Sequence, residues 1–261
     1  MLYEEGVRSL TAPVGTSCDA HTALELLTRA ADMNHIRAVA IAGYYKCFPC
    51  GSGQGNLKQG RNMLSDAAVS NDPFAVVLNA CAAVLTCEDG MRNSVRAKFV
   101  PLVQASLPIL QQETGVDAVI CQYAVGEALN HILQLEKDAV KWYKLAADQG
   151  HPLAIVRMGD MQRSDNSALA AAGVTRSDDG AVRCYRQAAN LKCALAQRQL
   201  ARMLKALHEF GDLTHNAKDW PTFMQQAADQ GDAFAQYELG EMYRTGDGVP
   251  RNVDLALSWF I

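Results

Sequence analysis

The sequence lacks any run of the ~18 apolar residues that a membrane-crossing helix needs. Its longest apolar-rich stretch, Phe74 to Leu85, is interrupted by Asn79. The opening MLYEEGVRSL puts Glu4 and Glu5 where a secretory signal would be basic and then apolar. A cytoplasmic location without membrane insertion is the expectation. Positive charge is also short: 24 Lys and Arg against 28 Asp and Glu leave a net charge of −4. A general nucleic-acid binder is usually strongly basic, so that class is disfavoured. Catalytic signatures are missing too. The six histidines form no metal or triad pattern, and His208-Glu209 is not followed by the second histidine of a zinc-protease helix. The eight cysteines (18, 47, 50, 81, 87, 121, 184, 193) are unevenly spaced. They read as reduced thiols used as small apolar residues.

What is present is repetition. AADQGHPLA at 146–154 returns as AADQGDAFA at 227–235. The Ala-Ala pair recurs as Ala30-Ala31, Ala67-Ala68, Ala146-Ala147, Ala188-Ala189 and Ala227-Ala228, with a degenerate copy at Leu110-Gln111. We call its first member the anchor. Eight positions on stands a marker alanine: Ala38, Ala75, Ala118, Ala154, Ala196 and Ala235. Four positions after the anchor come Asn34, Asn71, Gly150 and Gly231, with Thr114 and Lys192 as exceptions. Gly and Asn tolerate the left-handed backbone that ends a helix. Eleven positions before the anchor, Asp19, Asn56, Ser177, Asn216 and Asn252 are good N-caps, while Phe99 and Leu135 are not.

Each unit therefore reads as helix A, loop, helix B, turn. The units run approximately 1–33, 34–70, 71–113, 114–149, 150–191, 192–230 and an incomplete 231–261. Gly43, Gly159 and Gly240 would let neighbouring helices approach closely. A helix pair cannot bury its apolar faces alone, so stacked neighbours complete the core. Pro101 and Pro108 predict a split or irregular helix within 93–113. The chain stops short of the next expected anchor at 263, which suggests a piece of a longer array or a terminal capping helix.

GDAFAQYELGEMYRTGDGVPRNVDLALSWF resembles the Sel-one-like repeat, a relative of the tetratricopeptide repeat. The resemblance rests on Ala235, Leu239, Gly240 and Tyr243, on the loop Gly246, Gly248, Val249, Pro250, and on Trp259-Phe260. Residues Asp138 to Ala154 match the helix B half equally well. The family implies an all-α, right-handed superhelical solenoid of antiparallel helix pairs. It also implies a non-catalytic adaptor with no cofactor, holding protein partners on the concave face lined by A helices. Self-association is left open. Some cysteine-rich relatives carry a regular disulfide ladder, which the spacing here does not reproduce.

Counting two, three, six and nine positions from each marker gives the expected concave face. Its N-terminal part is apolar, including Ile41, Tyr44, Val77, Leu78 and Ile120, with Glu127 its one charged member. Its C-terminal part leans basic, with Arg157, Asp160, Arg163, Arg198, Arg202, Lys205, Tyr237, Glu241 and Arg244. The first part would take an apolar peptide or helix, and the second carboxylates or phosphates. If the frame slips, the apolar set lies in the core and an ordinary charged surface remains. Two alternatives stand beside the adaptor. Cys47 and Cys50, in CFPCGSGQGN, could hold a metal, act as a redox pair or centre an enzyme related to the cysteine-rich relatives, although no second ligand pair follows at zinc spacing. Helical repeats can also read single-stranded RNA, but regular alternation of Arg and aromatic residues is missing.

Overall fold

A computed structural model describes residues 1–10, 20–48, 56–211 and 214–260. Among the described residues every regular element is helical. Helices α1 (Leu2–Leu10) and α2 (Ala20–Asp32) form the first pair. Then come α3 (Ile36–Cys47) with α4 (Leu57–Ala68), and α5 (Pro73–Leu85) with α6 (Arg92–Leu110). Helix α7 (Ala118–Glu127) runs on through a π turn (Ala128–Ile132) and pairs with α8 (Glu136–Asp148). Helix α9 (Pro152–Arg163) is followed by the short α10 (Ser167–Ala171) and pairs with α11 (Asp178–Asn190). Helices α12 (Ala194–Glu209) with α13 (Trp220–Asp229), and α14 (Ala233–Thr245) with α15 (Val253–Trp259), complete the solenoid. One apolar core runs from Val7 to Met242 without a break, as expected when each pair covers its neighbour.

Local chemistry explains the helix ends. Asn56, Ser177 and Asn252 cap α4, α11 and α15, each accepting from a backbone N–H three residues on. A second series caps the A helices three residues before the marker: His35, Asp72, His151 and Asp232. Asn216 is a correction. It sits at φ 55° outside the helix, and α13 starts at Trp220 behind Asp219. The Asp19 cap lies outside the described residues. Four residues after the anchors, Asn34, Asn71, Gly150, Lys192 and Gly231 all have positive φ. Lys192 adopts it although it carries a Cβ.

Helix pairing follows one rule. A small residue five positions after the marker faces a large one three positions before the anchor. A Cβ built on Gly43 would meet Leu64, on Gly159 the Tyr185 ring, and on Gly240 the Phe260 ring. Gly60 makes the tightest approach: its Cβ would stand 2.6 Å from the Gly43 carbonyl oxygen and 2.9 Å from the Cys47 backbone nitrogen. Backbone cannot rotate away as a side chain can, so α3 and α4 would have to separate. Gly60→Ala should therefore cost about 2 kcal/mol in urea denaturation. Gly90→Ala, which meets nothing within 4 Å, should stay within about 0.5 kcal/mol. Equal effects would remove close packing as the reason for the glycine.

The same rule exposes a slip in the repeat frame. Gly126 faces Tyr143, three residues before the anchor Ala146, so the marker of this unit is Cys121. Ala118 is only half-buried, whereas Cys121 is 1% exposed. The pairs Gln122–Gln149 and Gln197–Gln230 confirm the register, each joining the residue after a marker to the third residue after its anchor. Three extra residues, accommodated by a 3-10 turn at Gly115–Asp117, produce the slip. The expectation at Pro101 and Pro108 is also overturned, because α6 continues through both. Seven residues apart, the two prolines share the solvent face. The carbonyls that they leave without an N–H partner belong to the exposed Ala97 and Gln104, which water can reach.

Candidate interaction surface

The A helices meet through a fixed relation: the residue six after one marker touches the residue three after the next. Glu127 and Arg157 stand so related, and Arg202 and Glu238 repeat the contact with the charges exchanged. The two contacts sit in very different surroundings.

Glu127 is fully buried. Arg157 donates to it from Nε at 2.7 Å and from Nη2 at 3.1 Å. The hydroxyls of Tyr44 and Tyr143 donate at 2.7 and 2.8 Å, from α3 and α8 respectively. Tyr44 Oη also lies 3.3 Å from Tyr123 Oη, and His151 stacks on the Tyr123 ring at 4.5 Å. Burial alone would raise the Glu127 carboxyl. Arg157, His131 and the hydrogen bonds from Arg157 and Tyr44 outweigh it and hold the pKa at about 2. His151 is pushed down to about 3 because burial disfavours its cation, and Glu127 opposes this only in part. This network locks three units together.

The structure therefore corrects the apolar half of the expected face. Ile41, Tyr44, Val77, Leu78 and Ile120 are buried core residues. Burial follows from close stacking, in which Tyr44, Tyr123 and Tyr143 fill the space between α3, α7 and α8 around Glu127. Arg157 belongs to this network and is not a free cation. Asp160 accepts from Tyr185 Oη at 2.6 Å, and Arg163 is exposed.

Further along, the structure brings Arg202, Lys205, Tyr237 and Glu241 together around an open groove of about 450 Å³ between α12 and α14. Trp220, Met224 and Met242 add apolar lining, and Asp247 stands on the rim. Sequence reasoning missed these four, because Trp220 and Met224 come from helix B, Asp247 from a loop, and Met242 from α14 at a position outside the counted offsets. The glycines of the GDG turn were the available signal: a Cβ on Gly248 would stand 2.4 Å from the Trp220 ring. Tyr237 is 61% exposed, unusually high for an aromatic side chain in a groove. Arg198 pairs with Asp232 at 3.0 Å and covers the Phe234 ring, away from the groove. Lys205 pairs with Asp247 and lies 5.0 Å from the Trp220 ring centroid. Arg244 pairs with Glu241 at 2.6 Å. The basic lean expected here is corrected as well. Arg157, Arg198, Arg202, Lys205 and Arg244 each pair with a carboxylate, and around the groove Glu209, Glu238, Glu241 and Asp247 outnumber Arg202 and Lys205.

For the metal or redox alternative, Cys50 lies outside the described residues. Burial raises the Cys47 thiol to about 11, so it stays protonated at neutral pH, the reverse of an activated thiolate. Among the described residues no three His, Cys, Asp or Glu side chains gather to hold a metal. Cys193 is disulfide-bonded, whereas Cys47, Cys81, Cys87, Cys121 and Cys184 are free, so the thiols are not uniformly reduced. No described helix is long and apolar enough to cross a membrane.

The sequence model of the Sel1 repeat family matches residues 1–35, 120–151, 152–193, 222–232 and 233–261. No curated protein matches the chain. Among solved structures, a protective antigen of uropathogenic Escherichia coli strains with an SLR fold is 19% identical, over 98% of this chain and 51% of its own, at a TM-score of 0.47. A Sel1 repeat protein from Oxalobacter formigenes is 22% identical, over 99% of this chain and 69% of its own, at a TM-score of 0.45. The chain thus spans about half the length of the E. coli antigen.

Proposed function

Because the chain belongs to the Sel1 repeat family, we propose that it is a non-catalytic scaffold that seats a segment of a partner protein in the groove between α12 and α14. The observation that carries this reading is Tyr237, an exposed aromatic side chain beside an open cavity that the neighbouring helices do not fill. Aromatic anchors in grooves are where binding energy concentrates. The chemistry of the lining defines the partner segment. Trp220, Met224 and Met242 are buried and form the closed base of the groove, while the exposed Tyr237 and Ala206 offer the apolar contact that suits the stripe of an amphipathic helix. The acidic excess on the rim suits basic residues flanking that stripe, and it disfavours an RNA strand in this groove. The repeats on either side supply a stiff frame, so binding needs little ordering of the scaffold.

Tyr237→Ala and Glu238→Lys test the reading. Quantitative capture of interacting proteins on immobilised wild-type chain should identify a partner whose retention falls on the order of tenfold with either variant. Circular dichroism should show unchanged helix content. Capture indifferent to both substitutions would place the partner elsewhere.

A further inference from the structure

A second groove lies between the B helices α4 and α6, with α5 as its floor. It is larger, about 800 Å³, and its electrical character is the opposite. Lys58 and Arg61 project from α4, and Lys98 from α6. Asn79 lies on the floor, with Val95 and Phe99 along one wall. None of the lining residues is acidic. Among the described residues none of the three cations pairs with a carboxylate; other exposed lysines are unpaired too, so what sets these apart is their convergence on a groove with no acidic lining residue. The 19 residues of α6 include no Asp or Glu. In a chain of net charge −4, this local cationic excess stands out against the overall balance.

We propose that this groove docks a short acidic segment of a partner protein, with carboxylates on Lys58, Arg61 and Lys98 and one apolar side chain against Val95 and Phe99. Unpaired like charges across a groove repel one another, and an anionic occupant turns that repulsion into attraction. Length decides between a peptide and a nucleic acid. A long polyanion would meet the net negative charge of the chain as a whole, whereas a segment of a few residues stays within the local cationic patch. Phe99 is the one aromatic in the lining, too few for the successive base stacking by which single strands are held. This site is independent of the groove between α12 and α14, and it gives the scaffold a second, oppositely charged docking face.

The test uses the full chain and a fluorescently labelled peptide of alternating glutamate and leucine, read by anisotropy at low and at high salt. Saturable binding is expected, weakened on the order of tenfold by the double variant Arg61→Glu, Lys98→Glu, and weakened by salt. The variant should keep the wild-type melting temperature, because both side chains are exposed and unpaired. Tyr237→Ala should leave this binding unchanged, which separates failure here from failure of the first groove. No saturable binding, or equal binding by the double variant, would overturn the proposal. So would a labelled oligouridylate that binds more tightly than the acidic peptide and is lost in the same variant.

Discussion

Replacing Glu127 with alanine is expected to cost about 3–5 kcal/mol of folding stability, the largest single effect at any polar residue among those described. Three donors lose their acceptor together: the Tyr44 and Tyr143 hydroxyls and the Arg157 guanidinium. Each buried orphan retains the penalty of having left water without the bond that offset it. Arg157 is 25% exposed on its side chain and can turn partly outward, which places the outcome nearer the lower end. Urea denaturation followed by circular dichroism measures the change. The double variant Glu127→Leu, Arg157→Met should lose less than the sum of its two single changes, since the second removes a charge that the first has stranded. A loss below about 1 kcal/mol for Glu127→Ala would show that the network is not what joins α3, α7, α8 and α9.

Acid should unfold the protein early, and His151 is a principal reason. The imidazole is 1% exposed, stacks on Tyr123, and accepts at Nδ1 from the Ala154 backbone N–H as the cap of α9. A proton on Nδ1 would abolish that acceptor and bury a cation. The folded pKa lies near 3, below the ordinary value of 6.5. A depressed folded pKa means that the unfolded chain binds the proton first. The stability contributed by neutral His151 is therefore complete above pH 6.5 and is lost as pH falls toward 3. The slope for one proton is about 1.4 kcal/mol per pH unit. His131 is depressed by burial as well and adds to the loss in the same direction. Asparagine keeps a capping oxygen and does not titrate. His151→Asn should thus flatten the profile below pH 6.5 by about one proton's worth, measured as urea midpoints from pH 7 to 4. An unchanged slope would assign the acid sensitivity to other groups.

The anchor doublets and marker residues show how much could be read in advance. Ala30, Ala67, Leu110, Ala146, Ala188 and Ala227 are all buried near the ends of B helices. Such positions are legible because a helix end and a close contact each restrict one residue locally, and the restriction recurs in every unit. The third marker shows where this reading fails. Ala118 fits the spacing but Cys121 fills the site, because a turn can absorb three residues without disturbing either helix. Glu127 illustrates a different limit. It stands six positions after its marker and not nine, but both positions belonged to the expected open face; it is sealed inside because Tyr44, Tyr143 and Arg157 close over it. Trp220 and Met224 could not be assigned to a groove from helix A spacing at all.

The sequence by itself determined the architecture: repeated helix pairs, the turns between them, and the small residues that let them approach. These depend on interactions spanning at most a few turns of chain, so composition and spacing record them. Only the tertiary structure decided which polar side chains are buried together, which cations are neutralised and which stand alone. That outcome depends on the stagger between successive A helices, which brings position six of one unit onto position three of the next. A stagger is a relation between units some forty residues apart. No local pattern encodes it, so Glu127 meeting Arg157 and Lys98 meeting no carboxylate became visible only in the folded chain.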